Sequence, residues 1–530
     1  YMAVCFGILI LMAAVGLGCT VCAPYFAARA SVGVAAGLRQ SVFDHIQSLS
    51  FAQLDRLGGD TMITRLTGDI NQVQNGLNMG LRLLLRSPFV VLGSMAMAFT
   101  IDTRCAAVFA VTIPVLFAAV FAIMLVSIPL FGRVQAGLDR VTGLTRENLT
   151  GVRVIRAFCR EERSVREFED GSRELTRLNE LVGRLSALLN PLTYVLINLA
   201  AAELIRRAAI RVQLGALAQG QVVALYNYML QIIVELIKLA SLIITLNRAM
   251  ACARRVADVL GAESGMSYPE TDAAAVADAA AVEFRHVRFA YAGAGAPSLE
   301  DISFSVRRGQ TVGIIGGTGS GKSTLVSLIP RFYDVQEGSV LLDGQDVRGY
   351  TRRTLCRRVG VVQQKTALFR GSVRENLRLG AGSAGDEALW EALETAQARE
   401  VVEGKPGGLE FELEQNGRNL SGGQRQRLSI ARTLVSRPEV LILDDSSSAL
   451  DFATDAALRR ALRALPWRPT TFLVSQRIMG IRQADLILVL DNGRLVGRGT
   501  HDELMERCAV YREIYDSQYP EEGREGRAEA

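Results

Sequence analysis

The sequence has few of the residues that build metal centres. Its 530 residues include only three histidines, His45, His286 and His501, which lie far apart along the chain. The eight cysteines are also scattered. The closest pair, Cys19 and Cys22, lies in an apolar stretch without the histidines or further cysteines of a metal site. We therefore interpret the cysteines as inert, buried apolar side chains.

Two further absences limit the possible functions. The net charge of +5 is small for this length, and no basic tract with interleaved aromatic residues is present, so a nucleic-acid partner is not expected. The first apolar stretch lacks both a basic n-region and a short apolar segment ending in a cleavage site, which argues against a signal peptide. We expect this stretch to remain in the protein as a membrane span.

Long apolar stretches are abundant in the first half of a chain whose overall apolar content is 49%. Five of them lie at about residues 2–26, 88–101, 105–131, 185–205 and 222–244. Most reach the roughly 20 residues that a helix needs to cross a bilayer, and the second does so by including residues 83–85. The sequence therefore predicts an integral membrane protein with five spans.

Two polar connections, residues 32–82 and 132–184, separate these stretches and contain no proline. Both show helical periodicity, which predicts helices that continue out of the membrane. Basic residues mark the second connection as cytoplasmic. They are Arg133, Arg140, Arg146, Arg153, Arg156, Arg160 and Arg163.

A phosphate-binding loop occurs in the second half. Residues 316–323 fit the pattern G-x-x-x-x-G-K-S and follow an apolar strand at 311–315. In such a loop, backbone N–H groups surround the phosphates, Lys322 reaches the terminal ones, and the Ser323 hydroxyl binds Mg²⁺. The remaining predicted nucleotide contacts in this segment are Gly316, Gly317, Thr318, Gly319, Ser320, Gly321 and Thr324.

A second phosphate contact is predicted at residues 420–424, Leu-Ser-Gly-Gly-Gln. Two glycines beside a serine, at the expected start of a helix, present backbone N–H groups and a hydroxyl to an anion at the positive end of the helix dipole. We assign this role to Ser421, Gly423 and Gln424. We call residues 420–424 the signature segment.

The composition changes between residues 261 and 280, which are rich in Ala, Asp and Glu and contain one proline. Beyond this segment, short β-branched strands alternate with helices. We predict a transmembrane domain at 1–260, a linker at 261–280 and a nucleotide-binding domain at 281–518. The charged tail at 519–530 lacks apolar periodicity and is expected to be disordered.

The phosphate-binding loop, the signature segment and the aspartate-ending strand at 440–444, in that order, resemble one half of an ABC exporter. This resemblance implies an α-helical transmembrane bundle followed by an α/β P-loop NTPase domain with an ABC-specific helical subdomain. It also implies ATP and Mg²⁺ as ligands, a second half-transporter as partner, and a bacterial inner membrane with the nucleotide-binding domain in the cytoplasm. Because that arrangement requires an even number of spans, we expect one further span before the first.

The resemblance assigns roles to further residues. Tyr291 resembles the aromatic residue that stacks on adenine, Gln364 the glutamine that touches Mg²⁺, and Asp444 the aspartate that holds Mg²⁺. Residues 448–451 resemble the D-loop, which crosses to the partner. Residues 51–55 with 65–69, and 151–158, resemble the two cytoplasmic loops whose short transverse helices contact the nucleotide-binding domains.

Two positions depart from the family pattern. Asp445 stands where working sites carry the glutamate general base, and its carboxylate is one C–C bond, about 1.5 Å, shorter. Gln476 stands where the family places a histidine, and an amide cannot become a cation. These changes resemble the degenerate subunit of heterodimeric bacterial multidrug-type exporters. Such a subunit hydrolyses ATP slowly at its own site and donates Ser421 and Gly423 to the partner's competent site.

Several alternatives remain open from the sequence. The chain could form a homodimeric lipid or peptide exporter with slow ATPase, or an ATP-gated channel or regulatory ABC protein, and the two departures could be neutral drift. An apolar cavity with few charges favours amphipathic or lipophilic small molecules as substrates. Glu235 and Lys238, three residues apart within the last span, either line the substrate pathway or pair with each other on one helix face.

Overall fold

The computed structural model describes residues 2–84, 86–272, 279–446 and 449–519, apart from the side chains at 120, 124, 189, 190, 240 and 241. The chain divides into two units. One comprises Tyr1–His45 with Asp60–Gly261, and the other comprises Ile46–Gly59 with Ala262–Ala530. Part of the predicted linker, Ser448 of the predicted D-loop, and residues 520–530 of the predicted tail lie outside the described residues.

The described residues of the first half are helical, and five helical stretches among them are long and apolar enough to cross a membrane. This finding confirms the predicted number of spans in this sequence. Two π-helical turns, Arg65–Asp69 and Gly80–Leu84, interrupt the second stretch. The helices are α1 Met2–Ser48, α2 Phe51–Leu57, α3 Gly59–Thr64, α4 Ile70–Met79, α5 Arg86–Ile101, α6 Thr103–Thr150, α7 Val152–Ala157, α8 Glu161–Gln213 and α9 Gln219–Leu260.

Helices α6 and α8 are much longer than a bilayer is thick. They contain 48 and 53 residues, which corresponds to about 70–80 Å at 1.5 Å per residue. A hydrocarbon core of about 30 Å accommodates less than half of that length. The polar connection at 132–184 therefore continues out of the membrane as helix, as predicted, with the short helix α7 between its two arms.

Polar contacts join the helices at both ends of the bundle. Asp102 caps α6 by accepting hydrogen bonds from the backbone N–H groups of Arg104 and Cys105, both at 2.9 Å. It also pairs with Arg211 near the end of α8 at 2.6 Å. At the other end, the buried Asp69 accepts two hydrogen bonds from Arg255 of α9, at 2.5 and 3.0 Å. Such bidentate pairs are among the strongest polar contacts in proteins.

The cysteines are only partly as predicted. Cys105, Cys252 and Cys508 are buried, but Cys159, Cys356 and the closest pair, Cys19 and Cys22, are exposed. Because α1 leaves most of its apolar surface uncovered within this chain, side chains on it face lipid or other chains rather than a core. The interpretation of this pair as buried was therefore wrong.

The second half forms three sheets. The central six-stranded sheet has the order β12-β11-β3-β10-β9-β6, parallel except for β12, and a four-stranded antiparallel sheet has the order β2-β1-β4-β5. The strands are β1 Val282–Phe289, β2 Leu299–Val306, β3 Thr311–Gly316, β4 Glu337–Leu342, β5 Gln345–Asp346, β6 Val359–Val362, β7 Gly371–Ser372, β8 Glu412–Leu413, β9 Val440–Asp444, β10 Thr470–Val474, β11 Leu486–Asp491 and β12 Arg494–Gly499.

Parallel pairing determines where the functional loops lie. Strand β10 lies between β3 and β9, so the three carboxyl ends meet at one edge of the sheet. In open α/β sheets this edge is where ligands bind. The helices of this half are α10 Lys322–Leu328, α11 Arg352–Arg358, α12 Val373–Arg378, α13 Asp386–Thr395, α14 Arg399–Glu403, α15 Gly422–Val435, α16 Phe452–Arg463, α17 His501–Arg507 and α18 Ala509–Gln518.

Helices α12 to α15 share an apolar core that is separate from the core between the two larger sheets. Its buried side chains include Leu377, Leu389, Leu393 and Leu428, and each fully buried leucine contributes about 1.5–3 kcal/mol to folding. This core supports the start of α15, where the signature segment lies. A helical bundle followed by a P-loop domain with a helical subdomain confirms the predicted fold class.

Helix α2 belongs to the second unit, although it lies within the first 60 residues. The ring of Phe51 packs on Phe332, with 4.3 Å between the ring centroids. The Tyr333 hydroxyl donates a hydrogen bond to Asp55 at 2.6 Å. This helix therefore packs as part of the nucleotide-binding half of the chain.

Candidate functional site

The phosphate-binding loop is closed around the ammonium group of Lys322. Its Nζ donates hydrogen bonds to the carbonyl oxygens of Gly316 at 2.9 Å and Gly317 at 2.6 Å. Gly321 has a φ of +96°, and a Cβ there would lie 2.8 Å from the Ser298 carbonyl oxygen. Only glycine fits both that conformation and that space. The loop is thus shaped to turn backbone N–H groups toward an anion.

Burial affects the charge of Lys322. The residue is 8% exposed, and burial lowers the pKa of its ammonium group while the nearby carboxylates of Asp445 and Asp444 oppose that shift. A phosphate at this position would supply the negative charge that the two carbonyl groups only partly replace. The loop therefore forms an anion-binding site in which the ammonium group of Lys322 is already positioned.

The residues predicted to hold Mg²⁺ lie together. The Ser323 hydroxyl donates a hydrogen bond to Asp444 Oδ1 at 2.9 Å, and Gln364 lines the same cleft. Burial raises the pKa of the Asp444 carboxyl, and the hydrogen bond from Ser323 partly offsets this shift. Hydroxyl, carboxylate and amide oxygens are the ligands that Mg²⁺ prefers. The residues therefore fit Mg²⁺, whose charge would stabilise the Asp444 carboxylate and the phosphate oxygens together.

These side chains line one cleft of about 700 Å³. The cleft brings together most of the predicted site, and it also contains Ser298 and the turn Asn492-Gly493, which the sequence analysis missed. That turn joins β11 to β12 with positive φ at both residues, as Asn-Gly hairpins do, but the sequence gives no sign that it reaches the cleft. The predicted residues in the lining are Tyr291, Thr318, Gly319, Gly321, Lys322, Ser323, Thr324, Gln364, Asp444, Asp445 and Gln476.

Tyr291 is held from the side at one end of the cleft. Its hydroxyl lies 3.1 Å from Thr324 Oγ1, and its ring meets Tyr333 edge-to-face, with 5.3 Å between centroids. The side chain is 38% exposed. An aromatic ring held in this way can stack on a flat heterocycle at little cost in conformational entropy.

Asp445 follows the last residue of β9 in a left-handed backbone conformation, with φ of +46°. Its backbone N–H donates to the Val474 carbonyl oxygen at 3.1 Å, and its Oδ2 accepts a hydrogen bond from Gln364 Nε2 at 3.1 Å. Non-glycine residues adopt this conformation at a cost of about 1–3 kcal/mol, commonly at functional sites. A carboxylate therefore follows Asp444 directly, and it accepts a hydrogen bond from an amide.

Gln476 lies in the loop after β10, which we call the switch loop, residues 475–478. The side chain of Gln518, in the last turn of α18, holds the loop backbone at Gln476 and at Ile478. Gln518 Nε2 donates to the Gln476 carbonyl oxygen at 2.7 Å, and Gln518 Oε1 accepts from the Ile478 N–H at 2.9 Å. The sequence analysis missed Gln518, because nothing in the sequence connects the end of the chain to this loop.

The signature segment starts α15. Ser421 Oγ accepts from the Gln424 N–H at 3.3 Å, and Gln424 Oε1 accepts from the Ser421 N–H at 3.0 Å, which forms a capping box. The side chain of Gln424 is thus used to begin the helix. Among the described residues that line the cleft, Ser421, Gly423 and Gln424 are absent. Ser421 is exposed, so its hydroxyl is accessible to a ligand held elsewhere.

Comparisons with known proteins agree with this architecture. Family models for the ABC transporter transmembrane region and the ABC transporter match residues 1–236 and 299–448. An uncharacterized ABC transporter ATP-binding protein of Mycobacterium tuberculosis is 37% identical over 94% of this chain and 86% of its own length. A fatty acid ABC transporter ATP-binding/permease protein of the same species is 32% identical over 89% of this chain and 75% of its own length.

A solved structure shows the same arrangement. A bacterial Atm1-family ABC exporter with ATP bound superposes with a TM-score of 0.77 and 25% sequence identity, over 92% of this chain and 86% of that one. Sequence and fold thus agree over nearly the whole chain. The chain belongs to the ABC exporter family, as a half-transporter whose membrane-spanning bundle is followed by a cytoplasmic ATP-binding domain.

Proposed function

We propose that this chain is one half of a heterodimeric exporter that uses ATP to move amphipathic, lipophilic small molecules out of the cell. Members of this family act as dimers in the membrane and couple ATP hydrolysis to transport. In the proposed pair, the cleft of this chain retains ATP and hydrolyses it slowly. The partner's cleft performs most of the hydrolysis, with Ser421 and Gly423 of this chain completing it.

This proposal rests on Asp445 and Gln476, which lie in a cleft that otherwise keeps its ATP-binding groups. Asp445 is about 1.5 Å shorter than glutamate, and its carboxylate is engaged by Gln364. Misplacing a general base forfeits much of the roughly 10² to 10⁴-fold that such a group contributes. Gln476 can donate a hydrogen bond to a phosphate but cannot carry a positive charge. The cleft thus retains its binding groups, while the carboxylate at 445 is shorter than a glutamate and the side chain at 476 is uncharged.

The mechanism follows from where each group lies. Lys322 and the loop N–H groups would bind the phosphates, Ser323, Asp444 and Gln364 would hold Mg²⁺, and Tyr291 would supply a stacking surface for adenine. ATP binding that is stronger in the closed than in the open dimer supplies the free energy that reorients the membrane helices. Hydrolysis at the partner's site resets the dimer, while the cleft of this chain keeps it partly closed.

Export of an amphipathic substrate is supported by two observations. The membrane half carries few charges along its apolar spans, and a relative named as a fatty acid ABC transporter is 32% identical to this chain. A fatty acid is itself an amphipathic molecule. We therefore expect the substrate to have a long apolar tail and a polar head.

Co-expression with the candidate partner half-transporter tests the pairing. We expect a one-to-one complex whose ATPase rate exceeds that of this chain alone, because the competent site exists only in the pair. The measurement is native mass spectrometry followed by a steady-state ATPase assay on each purified species. A homodimer of this chain with the same rate per site would refute the proposal.

A further inference from the structure

A buried carboxylate in α9 joins two helices. Glu235 is 3% exposed, and its Oε2 accepts a hydrogen bond from Ser87 of α5 at 2.8 Å. Its Oε1 accepts from Lys238 Nζ at 3.0 Å and lies 3.8 Å from Arg86 Nη2. Glu235 and Lys238 therefore do pair on one helix face, which was one of the two readings the sequence left open. The structure adds Arg86 as a second cation.

The charged groups of this cluster differ in exposure. In the described contacts, the Glu235 carboxylate is shared between two cations, Arg86 and Lys238. The side chain of Glu235 is 4% exposed, whereas those of Arg86 and Lys238 are 58% and 42% exposed. At 3.8 Å, Arg86 is attracted to Glu235 but is beyond hydrogen-bond length. The carboxylate of Glu235 is therefore buried inside the cluster, and the cationic groups of Arg86 and Lys238 lie at its surface.

The cluster lies at a defined depth. Lys238 is 19 residues after Gln219, where α9 begins, which corresponds to about 28 Å along the helix. We place the outer boundary of the hydrocarbon core at the start of α9, and because that core is about 30 Å thick, this placement puts Lys238 near its cytoplasmic boundary. Arg86 begins α5, a helix of 16 residues, and lies about 22 Å from its far end. Head groups of molecules in the cytoplasmic leaflet occupy this depth.

The same face of α9 continues as a polar stripe. Asn227 and Gln231 precede Lys238 by 11 and 7 residues, and 100° per residue places all three within about 40° of one another. Asn227 and Gln231 are both exposed, with the apolar Val223, Leu230 and Val234 also exposed on the helix. Amide side chains facing lipid tails would lose their hydrogen bonds at a cost of several kcal/mol. This face is therefore suited to a pathway that a molecule with both polar and apolar parts can follow.

We propose that Arg86 and Lys238 bind the anionic head group, a carboxylate or phosphate, of the transported amphiphile. Glu235 is a positioning residue that draws both cations toward the same oxygen atom. The remainder of the substrate extends along the α9 face that carries Gln231 and Asn227. This inference rests on the proposed export function and narrows its substrate class to anionic amphiphiles.

The test uses the assembled exporter in phosphatidylcholine vesicles and three probes with the same 16-carbon chain. These are hexadecyl phosphate, hexadecyl maltoside and hexadecyltrimethylammonium. The measurement is the concentration of each probe that half-maximally stimulates ATPase activity, expressed as a ratio to that of the maltoside. We expect hexadecyl phosphate to act at the lowest concentration in the wild-type exporter, because hydrogen bonds between charged groups are stronger than those between neutral ones.

Variants that remove the charges of Arg86 and Lys238 test whether these two residues cause the preference for hexadecyl phosphate. In the double variant Arg86→Gln/Lys238→Gln, we expect the preference for hexadecyl phosphate over the maltoside to fall about tenfold or more. Lys238→Arg keeps the charge and should retain the preference. As a matched control, Arg184→Gln removes an arginine from α8 that pairs with Glu180, and it should leave the ratio unchanged.

Each of the other possible outcomes would contradict a specific part of the two proposals. Equal responses to the three probes in wild type and variants, with transport intact, would refute the head-group site and leave the export function standing. An effect of the variants only in vesicles that contain phosphatidylglycerol, without transport of hexadecyl phosphate, would assign the cations to a bilayer lipid and refute the substrate site. Failure of every amphiphile to stimulate ATPase or to be transported would refute both proposals.

Discussion

At the end of β9, two carboxylates follow each other with different surroundings. Asp444 is buried and hydrogen-bonded by Ser323, whereas Asp445 adopts a left-handed backbone conformation and is bound by Gln364. The first is suited to hold Mg²⁺, and we propose that the second stands in the place of the general base with a shorter side chain. In the proposed asymmetric pair, the difference between binding ATP and hydrolysing it depends on one methylene group at Asp445 and on glutamine in place of histidine at 476.

Restoring both groups should restore hydrolysis. With the general base of the partner's site removed, we expect Asp445→Glu/Gln476→His to raise the ATPase rate of the pair by about 10²-fold or more. The control Asp445→Asn/Gln476→Ala should stay at the background rate. The measurement is phosphate release by the purified complex. The contradicting result would be a full ATPase rate in a pair that lacks the partner's base and carries no restoring substitutions in this chain.

At the scale of elements, the order of the strands explains what the sequence could reveal. The phosphate-binding loop, the strand before Asp444 and the signature segment are local patterns, and parallel pairing of β3, β9 and β10 brings the first two together as expected. The turn Asn492-Gly493 and the contact of Gln518 with the switch loop join segments far apart in the chain. No local pattern records such contacts, so they emerge only from the folded structure.

Helix α18 should control the switch loop through Gln518. Gln518→Ala removes both hydrogen bonds to the loop backbone, each worth about 1 kcal/mol, so we expect ATP to leave this chain's cleft about fivefold faster or more. Gln518→Glu should fail to rescue, because its carboxylate keeps the acceptor for Ile478 but faces the Gln476 carbonyl oxygen. The measurement is the release rate of a fluorescent ATP analogue.

A matched control uses another glutamine of the same domain. Gln397 also donates a hydrogen bond to a backbone carbonyl oxygen, that of Glu394 at 3.1 Å, and it does not belong to the described lining of the cleft. Gln397→Ala should leave the release rate unchanged. Equal release rates in wild type and Gln518→Ala would show that α18 only packs against the domain.

At the scale of the whole molecule, the proposed pair assigns the exposed Ser421 of this chain to the partner's site. Ser421→Ala should lower hydrolysis at the partner's site by about 10²-fold, as expected for loss of a donor to transition-state charge, while ATP binding in this chain's own cleft persists. Ser436→Ala is a matched control at the other end of α15, where the hydroxyl bonds the Thr433 carbonyl oxygen. The measurement is single-turnover hydrolysis with nucleotide binding followed in parallel.

If Ser421→Ala abolished ATP binding in this chain's own cleft and left hydrolysis at the partner's site unchanged, Ser421 would act in this chain's own site. That result would contradict the prediction. The helix start itself loses about 1 kcal/mol when a capping serine becomes alanine. The parallel binding assay therefore separates a damaged helix from a lost catalytic contact.

The most direct test of the asymmetric account is the state of the nucleotide in each cleft after one cycle. The one-to-one complex is mixed with radiolabelled azido-ATP, crosslinked by light, and the nucleotide attached to each subunit is identified. We predict intact ATP on this chain and ADP on its partner. Equal amounts of ADP on both subunits would contradict the account.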